Sequence, residues 1–143
     1  MTDDCRDLDQ HILHQCHRAL QALERIGAGA LAMRGLTPRQ VSVLVAAASR
    51  PGISQTALTA ITGVDRSTLA DILKRLRSKG LITRTRSKTD MRERLVYLTD
   101  EGMRAVSEGR AALDLVDERG EAALGQALTT VLRDALARLS LLS

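Results

Sequence analysis

The chain has 143 residues, of which 44% are apolar and 27% charged, and this size and balance predict one soluble domain. Its aromatic residues are limited to one Tyr, so the core must consist of Leu, Ala, Val and Ile, which favours packed helices over a sheet sandwich. No apolar run is long enough to cross a membrane, the N-terminus is acidic and there are only two cysteines, so we expect a cytoplasmic protein without a disulfide framework.

Two helices are predicted in the first part of the chain. Apolar residues recur at helical spacing over residues 8–33, which indicates a single long helix ended by Gly35. The motif Thr37-Pro38-Arg39-Gln40 then predicts the start of a second helix. Thr is a favoured cap, Pro fits the first helical position and Gln closes a capping box.

A helix-turn-helix follows. Ser54 is expected to cap a short helix with Leu58 and Ile61 facing inward, and Gly63 ends it before Asp65 caps the next helix. The inward stripe predicted for this next helix consists of Leu69, Ile72, Leu73 and Leu76. The order of helix, short turn and helix is typical of proteins that place one helix in a DNA groove.

The second helix runs into a predicted β-hairpin, residues 81–86 and 94–98, with a charged tip between the strands. Residues 65–94 contain ten Lys or Arg and four acids, a charge of +6, whereas the whole chain carries +4. The remainder of the chain therefore sums to −2, and the localised positive charge indicates one surface that meets a polyanion.

Two helices complete the chain. Thr99 is expected to cap the first of them and Gly120 to break it, and the last helix carries a wide leucine face. A monomer offers no obvious partner for that face, so we expect the terminal helices to pair with a second copy. We predict an N-terminal dimerisation helix at 1–35, a winged helix-turn-helix lobe at 36–99 and C-terminal dimerisation helices at 100–143.

The run GVDRSTLADILKRLRSKGLITR, followed by DMRERLVYLTDEG, resembles the MarR family of winged helix-turn-helix regulators. In that family the hairpin is marked by Asp-x-Arg and then by Leu-Thr and Gly, and Asp90, Arg92, Leu98, Thr99 and Gly102 match this pattern. The resemblance implies a mainly α fold with a small β-hairpin wing and dimerisation through the first and last helices. It also implies that Arg92 enters the minor groove, that Asp90 braces it, and that small ligands bind between the dimerisation region and the DNA-binding lobe.

We expect the basic stretch to bind double-stranded DNA with a near-palindromic operator. Ser67, Ala70, Lys74 and Arg75 are assigned to the major groove, Arg92 to the minor groove, and Arg84, Arg86, Lys88 and Arg94 to phosphates. The complete set of candidate DNA-binding residues is Ser54, Arg66, Ser67, Thr68, Ala70, Asp71, Lys74, Arg75, Arg84, Arg86, Lys88, Asp90, Arg92 and Arg94. Asp71 has two interpretations, an ion pair with Arg75 or acceptance of a proton from a cytosine amino group.

The histidines His11, His14 and His17 and the cysteines Cys5 and Cys16 all lie near the N-terminus. On a helix the histidines face away from the cysteines, so solvated histidines are favoured over a metal site, and no cofactor is assigned. The two cysteines lie roughly 16 Å apart along a straight helix, too far for a disulfide within it. Cys16 is interpreted as a small buried apolar residue, and oxidation sensing at Cys5 and Cys16 is the alternative.

Catalysis would require a clustered nucleophile, base and orienting group, and the sequence shows none, so no enzyme is predicted. The predicted function is that of a homodimeric transcriptional regulator, a repressor released by a small-molecule effector. The alternatives are a redox-sensing or metal-sensing regulator of the same fold and a nucleoid-type protein that binds DNA without sequence preference.

Overall fold

The computed structural model describes residues 8–142. They form two compact units, of which one is Ala28–Ala112 and the other combines the described residues up to Gly27 with those from Leu113 onward. The helices are α1 (Ile12–Leu31), α2 (Pro38–Ala48), α3 (Gln55–Thr62), α4 (Arg66–Ser78), α5 (Asp100–Leu124) and α6 (Gln126–Leu139), and the strands are β1 (Ile53–Ser54), β2 (Ile82–Arg86) and β3 (Arg94–Leu98). A 3-10 turn, Ala32–Arg34, follows α1. The expected fold class, mainly α with a β-hairpin wing, is confirmed.

The predicted helix starts and the turn of the helix-turn-helix are confirmed. Thr37 Oγ1 accepts from the backbone N–H of Gln40 at 3.2 Å, and Gln40 Oε1 accepts from the N–H of Thr37 at 3.0 Å, which completes the capping box. Ser54 caps α3 through the N–H of Ala57 at 3.1 Å. Gly63 ends α3 with φ +66°, a left-handed conformation that Gly adopts without steric cost.

The antiparallel sheet has the order β1-β3-β2, so the predicted hairpin gains a third strand at its inner edge. Ile53 of β1 lies opposite Val96 of β3, and Arg84 of β2 lies opposite Val96 from the other side. Ile53 and Val96 are both fully buried. The sheet thus shares the hydrophobic core of the helix-turn-helix.

The core of the Ala28–Ala112 unit is aliphatic, as the composition predicts. Its largest fully buried side chains are Leu44, Ile53, Leu58, Leu69, Leu73, Leu76, Ile82, Val41, Val43 and Val96. The first half of α5 packs closely on α2, since a Cβ placed on Gly109 would lie 2.6 Å from Cγ1 of Val41. The lack of a side chain at Gly109 therefore permits the close contact of α5 with this core.

Three local predictions were wrong. The long first helix does not extend over residues 8–33 but begins at Ile12 and ends at Leu31; a 3-10 turn follows it, and the predicted stop at Gly35 is confirmed, with φ +58°. Ile61 is 59% exposed rather than inward, because α3 ends one residue later and its last turn lies at the edge of the core. Gly120 does not break α5, since a single Gly costs only about 1 kcal/mol in a helix; the break comes at Gly125, with φ +79°.

The unit of described residues up to Gly27 and from Leu113 onward is rich in exposed apolar side chains. Asp117 of α5 accepts from Arg133 of α6 at 3.0 Å, an exposed ion pair. The exposed large apolar residues of this unit are Leu8, Ile12, Leu13, Leu20, Leu23, Leu115, Leu124, Leu128, Val131, Leu132, Leu136, Leu139, Leu141 and Leu142. Within residues 8–142, no helix combines the length and apolar character needed to cross a membrane.

Candidate nucleic-acid interface

Helix α4 separates its apolar and polar residues on opposite faces. All four residues of the predicted inward stripe, Leu69, Ile72, Leu73 and Leu76, are buried. The side chains assigned to the major groove are exposed on the other face, namely Ser67, Ala70, Lys74 and Arg75, together with Asp71. Burial of one face holds α4 in place while the other face stays available to a ligand.

The first turn of α4 is organised by Asp65. Its Oδ1 accepts from the backbone N–H of Thr68 at 2.9 Å and from the hydroxyl of Ser67 at 2.7 Å, and its Oδ2 accepts from the hydroxyl of Thr68 at 2.6 Å. The hydrogen bond from the Thr68 side chain, followed by those from the Thr68 backbone and Ser67, holds the pKa of Asp65 well below its ordinary value. The carboxylate is therefore ionised at neutral pH.

Asp71 and Arg75, both within the described residues, do not form the predicted ion pair, so that interpretation of Asp71 was wrong. Both side chains are exposed on α4. A surface pair of this kind contributes only about 0.2–0.5 kcal/mol, which does not outweigh the rotamer freedom of a long exposed Arg. The second interpretation, in which Asp71 accepts a hydrogen bond from a cytosine amino group, stays a prediction.

The arginines of the wing differ in their surroundings. Register places Arg84 and Arg86 of β2 and Arg94 of β3 on one face of the sheet, since Arg84 pairs with Val96 and Arg86 with Arg94. Arg86 and Arg94 are exposed, but Arg84 is half-buried, and its Nη2 donates to Oε1 of Gln55 at 2.8 Å.

The Nε of Arg84 is buried and has no hydrogen-bond partner. Burial lowers the pKa of its guanidinium, and the nearby charges of Arg94 and Arg77 lower it further. Arg84 thus connects the wing to the first residue of α3 and is less available to phosphates than Arg86 and Arg94.

The tip of the wing is closed by its own hydrogen bonds. The hydroxyl of the buried Ser87 accepts from the N–H groups of Thr89 and Asp90 at 3.3 and 3.2 Å, and the N–H of Ser87 donates to the carbonyl of Glu93 at 2.9 Å. Asp90 Oδ1 accepts from the N–H of Arg92 at 2.9 Å. The side chain of Arg92 is exposed on this ordered turn, so Asp90 braces Arg92 through the backbone.

Two open grooves flank the exposed face of α4. One, of about 490 Å³, lies between α3, the start of α4 and the wing, and is lined by Gln55, Thr56, Thr59, Arg66, Leu69, Asp90, Arg92, Glu93 and Arg94. The other, of about 520 Å³, lies between α4 and the start of α2 and is lined by Gly35, Thr37, Gln40, Asp71, Lys74, Arg75, Ser78 and Lys79. Cations line both grooves, as a surface for a polyanion requires.

Sequence reasoning missed the ion-pair network that fixes the end of the first helical segment. Arg34 bonds to Glu108 through Nε and through Nη2 at 2.8 Å, and to Glu101 through Nη1 at 2.5 Å. Its backbone carbonyl accepts from Lys79, the residue after α4, at 3.4 Å. These partners are 45 to 74 residues apart, and no local pattern reports a contact at that separation.

His14, Cys16 and His17 lie on α1, and His11 directly precedes it. Cys16 is a free, half-buried thiol on α1, and Cys5 lies outside the described residues. Over residues 8–142 no group of three or more His, Cys, Asp or Glu is placed to hold a metal ion. His14 lies 3.7 Å from Asp9, an exposed carboxylate. Oxidation sensing at Cys5 and Cys16 stays a prediction.

A three-stranded sheet joined to a helix-turn-helix, with cations along the exposed helix and the hairpin, defines a winged helix-turn-helix protein. A model of the MarR family matches residues 34–93. A probable transcriptional regulator from Pseudomonas aeruginosa is similar over 92% of this chain and 98% of its own, with 31% identity and a TM-score of 0.85. The chain belongs to the MarR family, whose members are transcriptional regulators.

Other relatives carry more specific descriptions. The putative transcriptional regulatory protein for the hcr operon of Thauera aromatica is 35% identical over 105 residues, which are 73% of this chain and 63% of that protein, so this chain matches slightly less than two thirds of its length. The transcriptional repressor CouR of Rhodococcus jostii RHA1, bound to a 23-mer DNA duplex, has 27% identity and a TM-score of 0.84 over 94% of this chain and 95% of its own. PcaV from Streptomyces coelicolor, in complex with its natural ligand, has 29% identity and a TM-score of 0.83, with coverages of 93% and 94%.

Proposed function

We propose that this protein is a cytoplasmic, homodimeric repressor that binds a near-palindromic DNA operator and is released by a small-molecule effector. The observation that carries the proposal is the exposed polar face of α4, held on a buried leucine stripe beside a basic wing. The solved complex of the similar repressor CouR with duplex DNA supports it. No enzymatic role is proposed.

DNA contact is assigned to three parts of this surface. The exposed residues of α4, with Lys74 and Arg75 as its cations, contact base edges and phosphates in the major groove. Arg92 reaches the minor groove from the closed tip of the wing. Arg66, Arg86, Lys88 and Arg94 contact phosphates, whereas Arg84 braces the wing. Ser54 keeps its hydroxyl proton available for a phosphate, since its oxygen accepts from Ala57.

Dimerisation is assigned to the unit of described residues up to Gly27 and from Leu113 onward. Its leucine side chains are largely exposed in a single chain, and pairing with a second copy would remove them from water. A twofold dimer places two α4 helices about 34–36 Å apart, one turn of DNA, and therefore fits two half-sites of opposite orientation.

Release by an effector is proposed as a population shift. The similar regulator PcaV was solved with its natural ligand, which supports ligand control in this chain as well. An effector that binds more tightly to a dimer with a different spacing of the two α4 helices lowers operator affinity by the ratio of its two affinities.

The experiment that tests the proposal selects binding sites from random DNA with the purified protein and measures affinity by fluorescence anisotropy across a salt series. We expect a consensus with twofold symmetry, at least about a thousandfold preference over unrelated duplex and a steep salt dependence. Arg75→Ala and Arg92→Ala each weaken binding, whereas Arg110→Ala, at an exposed position of α5 outside both assigned interfaces, leaves it unchanged.

Three results would contradict the proposal. Equal affinity for all fragments would favour a coating protein over a regulator. A sedimentation coefficient of a monomer at micromolar concentration would overturn the dimer. Full operator affinity in the Arg75→Ala, Arg92→Ala double variant would remove α4 and the wing from the interface.

A further inference from the structure

In the first turn of α4, the hydroxyl groups of Ser67 and Thr68 both donate hydrogen bonds to the carboxylate of Asp65. Ser67 Oγ lies 2.7 Å from Asp65 Oδ1, and Thr68 Oγ1 lies 2.6 Å from Asp65 Oδ2. An ionised carboxylate has no proton to give and only accepts hydrogen bonds. Each hydroxyl must therefore be the donor, and a hydroxyl has a single proton.

The remaining capacity of these hydroxyls is acceptance alone. Phosphate oxygens, O6 and N7 of guanine and O4 of thymine are all acceptors, so Ser67 could bond to them only after it gives up a charge-assisted hydrogen bond to Asp65. The donors that DNA presents in the major groove are the amino groups on N6 of adenine and N4 of cytosine. Ser67 is exposed, whereas Thr68 is half-buried and occupied with the cap.

From this geometry we infer that Ser67 acts toward DNA only as a hydrogen-bond acceptor and selects an adenine or a cytosine at one position of each half-site, with Asp65 as the positioning residue. The inference rests on the proposed function, because it presumes that α4 enters the major groove. The inference predicts the operator sequence at one position. On the strand that faces Ser67, adenine and cytosine, which carry an amino group in the major groove, are preferred over guanine and thymine, which carry a keto group there.

The test begins with binding-site selection for the wild-type protein, Ser67→Ala and Asp65→Asn, with Ser42→Ala as a control for loss of an exposed hydroxyl outside α4. Wild type is expected to select adenine or cytosine at one symmetric pair of positions, and Ser67→Ala is expected to lose the preference at that pair alone. Asp65→Asn keeps a cap acceptor, since Asn is as good a cap as Asp. The side-chain oxygen of this variant accepts from both the Thr68 N–H and the Ser67 hydroxyl, as Asp65 Oδ1 does, and its amide nitrogen takes the place of Oδ2 beside Thr68. Ser67 therefore still donates, but to a neutral acceptor, so the preference for adenine or cytosine is expected to persist with reduced strength.

A double-mutant cycle then isolates the contact. At the selected position, adenine is replaced by purine, which lacks the N6 amino group, or cytosine by 2-pyrimidinone, which lacks N4. Wild-type affinity is expected to fall about tenfold, the lower end of a specific base contact, while Ser67→Ala binds both duplexes equally. Thermal unfolding by circular dichroism confirms that each variant is folded.

The outcomes separate the two proposals. If the wild-type protein selects no consensus, the proposed function fails and the inference fails with it. In a second outcome, a consensus appears but removal of the base amino group lowers the DNA affinity of the wild-type protein and of Ser67→Ala equally at every position. The protein is then a sequence-specific regulator, but the inference about Ser67 is overturned. The inference is also overturned if the wild-type protein prefers guanine or thymine at a position where Ser67→Ala loses that preference.

Discussion

The guanidinium of Arg84 in β2 donates a hydrogen bond across 2.8 Å to the side-chain carbonyl of Gln55, the first residue of α3. This bond connects the wing to the helix-turn-helix without help from a ligand. Because Arg84 Nε is buried without a hydrogen-bond partner, removing the guanidinium from water costs free energy that its single hydrogen bond only partly offsets.

We therefore predict that Arg84 contributes little to the salt dependence of DNA binding. Arg84→Met is expected to leave the slope of log K against log salt unchanged and the free energy of unfolding within about 1 kcal/mol, since an apolar chain of similar length replaces a poorly paired buried group. Arg86→Met, on the exposed part of the same strand, is expected to lower the slope by about 0.9 for each phosphate that is no longer neutralised. Equal changes of slope in both variants would assign Arg84 to the phosphates.

A second prediction concerns two glycines of α5. In Gly109→Ala the new methyl group lies 2.6 Å from Cγ1 of Val41, a stiff and fully buried side chain, and overpacking of this kind costs about 1–3 kcal/mol. Gly120→Ala meets nothing within 4 Å and is expected to gain up to about 1 kcal/mol of helix propensity. Urea unfolding should show opposite signs for the two variants, and a stabilised Gly109→Ala would mean that α5 does not press on α2 in solution.

The ion-pair network of Arg34 predicts a pH dependence of stability. Hydrogen bonds from Arg34, with a further one from Arg104 to Glu101, lower the pKa values of Glu101 and Glu108 below their ordinary 4.5 in the folded state. Because the pKa values of these two carboxyl groups are lower in the folded state, their ionised forms stabilise the fold when the pH is above their unfolded-state pKa. This stabilisation is lost as the pH falls through the folded-state pKa. Arg34→Met should therefore lower Tm at pH 7 and lose less Tm than wild type between pH 7 and pH 3.

The matched control for this network is Arg110→Met. Arg110 is exposed on the same helix, two residues after Glu108, and lies outside the unit assigned to dimerisation. Its replacement is expected to leave Tm unchanged at both pH values, because an exposed charge contributes little to stability. A parallel loss of Tm on acidification in wild type and Arg34→Met would assign the pH dependence to other carboxylates.

The capping box at the start of α2 gives a fourth prediction. Thr37→Ala removes the acceptor for the N–H of Gln40 and is expected to destabilise the fold by about 1 kcal/mol. Ser42→Ala, one turn further along α2, removes only a hydroxyl that bonds back to the carbonyl of Pro38 and should be neutral or slightly stabilising. Thermal or urea unfolding distinguishes them, and equal stability of the two variants would show that the cap contributes nothing.

Sequence alone predicted the features that depend on local chemistry. The caps at Thr37, Ser54 and Asp65 follow from side chains that satisfy the first free N–H groups of a helix, and the buried stripe of α4 follows from helical periodicity. The MarR fold followed because its motifs lie in one continuous stretch, residues 36–102, most of which the family model also matches.

The features that sequence did not predict depend on distant partners. The strand β1 has only two residues and exists because β3 has a free edge beside it. The contact of Arg84 with Gln55 joins residues 29 apart, and that of Arg34 with Glu108 joins residues 74 apart. Gly120 and Gly125 carry the same local signal, and only the course of the chain decides which of them ends α5.

The shortest strand of the protein limits how an effector could act. Ser54 pairs with Leu95 in the sheet and caps α3 with its side chain, so one residue belongs to both the wing and the helix-turn-helix. A wing that swung away from DNA by itself would break the sheet and uncap the helix together. Displacement of the wing, α3 and α4 together as one rigid body keeps both the strand pairing and the cap, which places any hinge outside the winged helix-turn-helix.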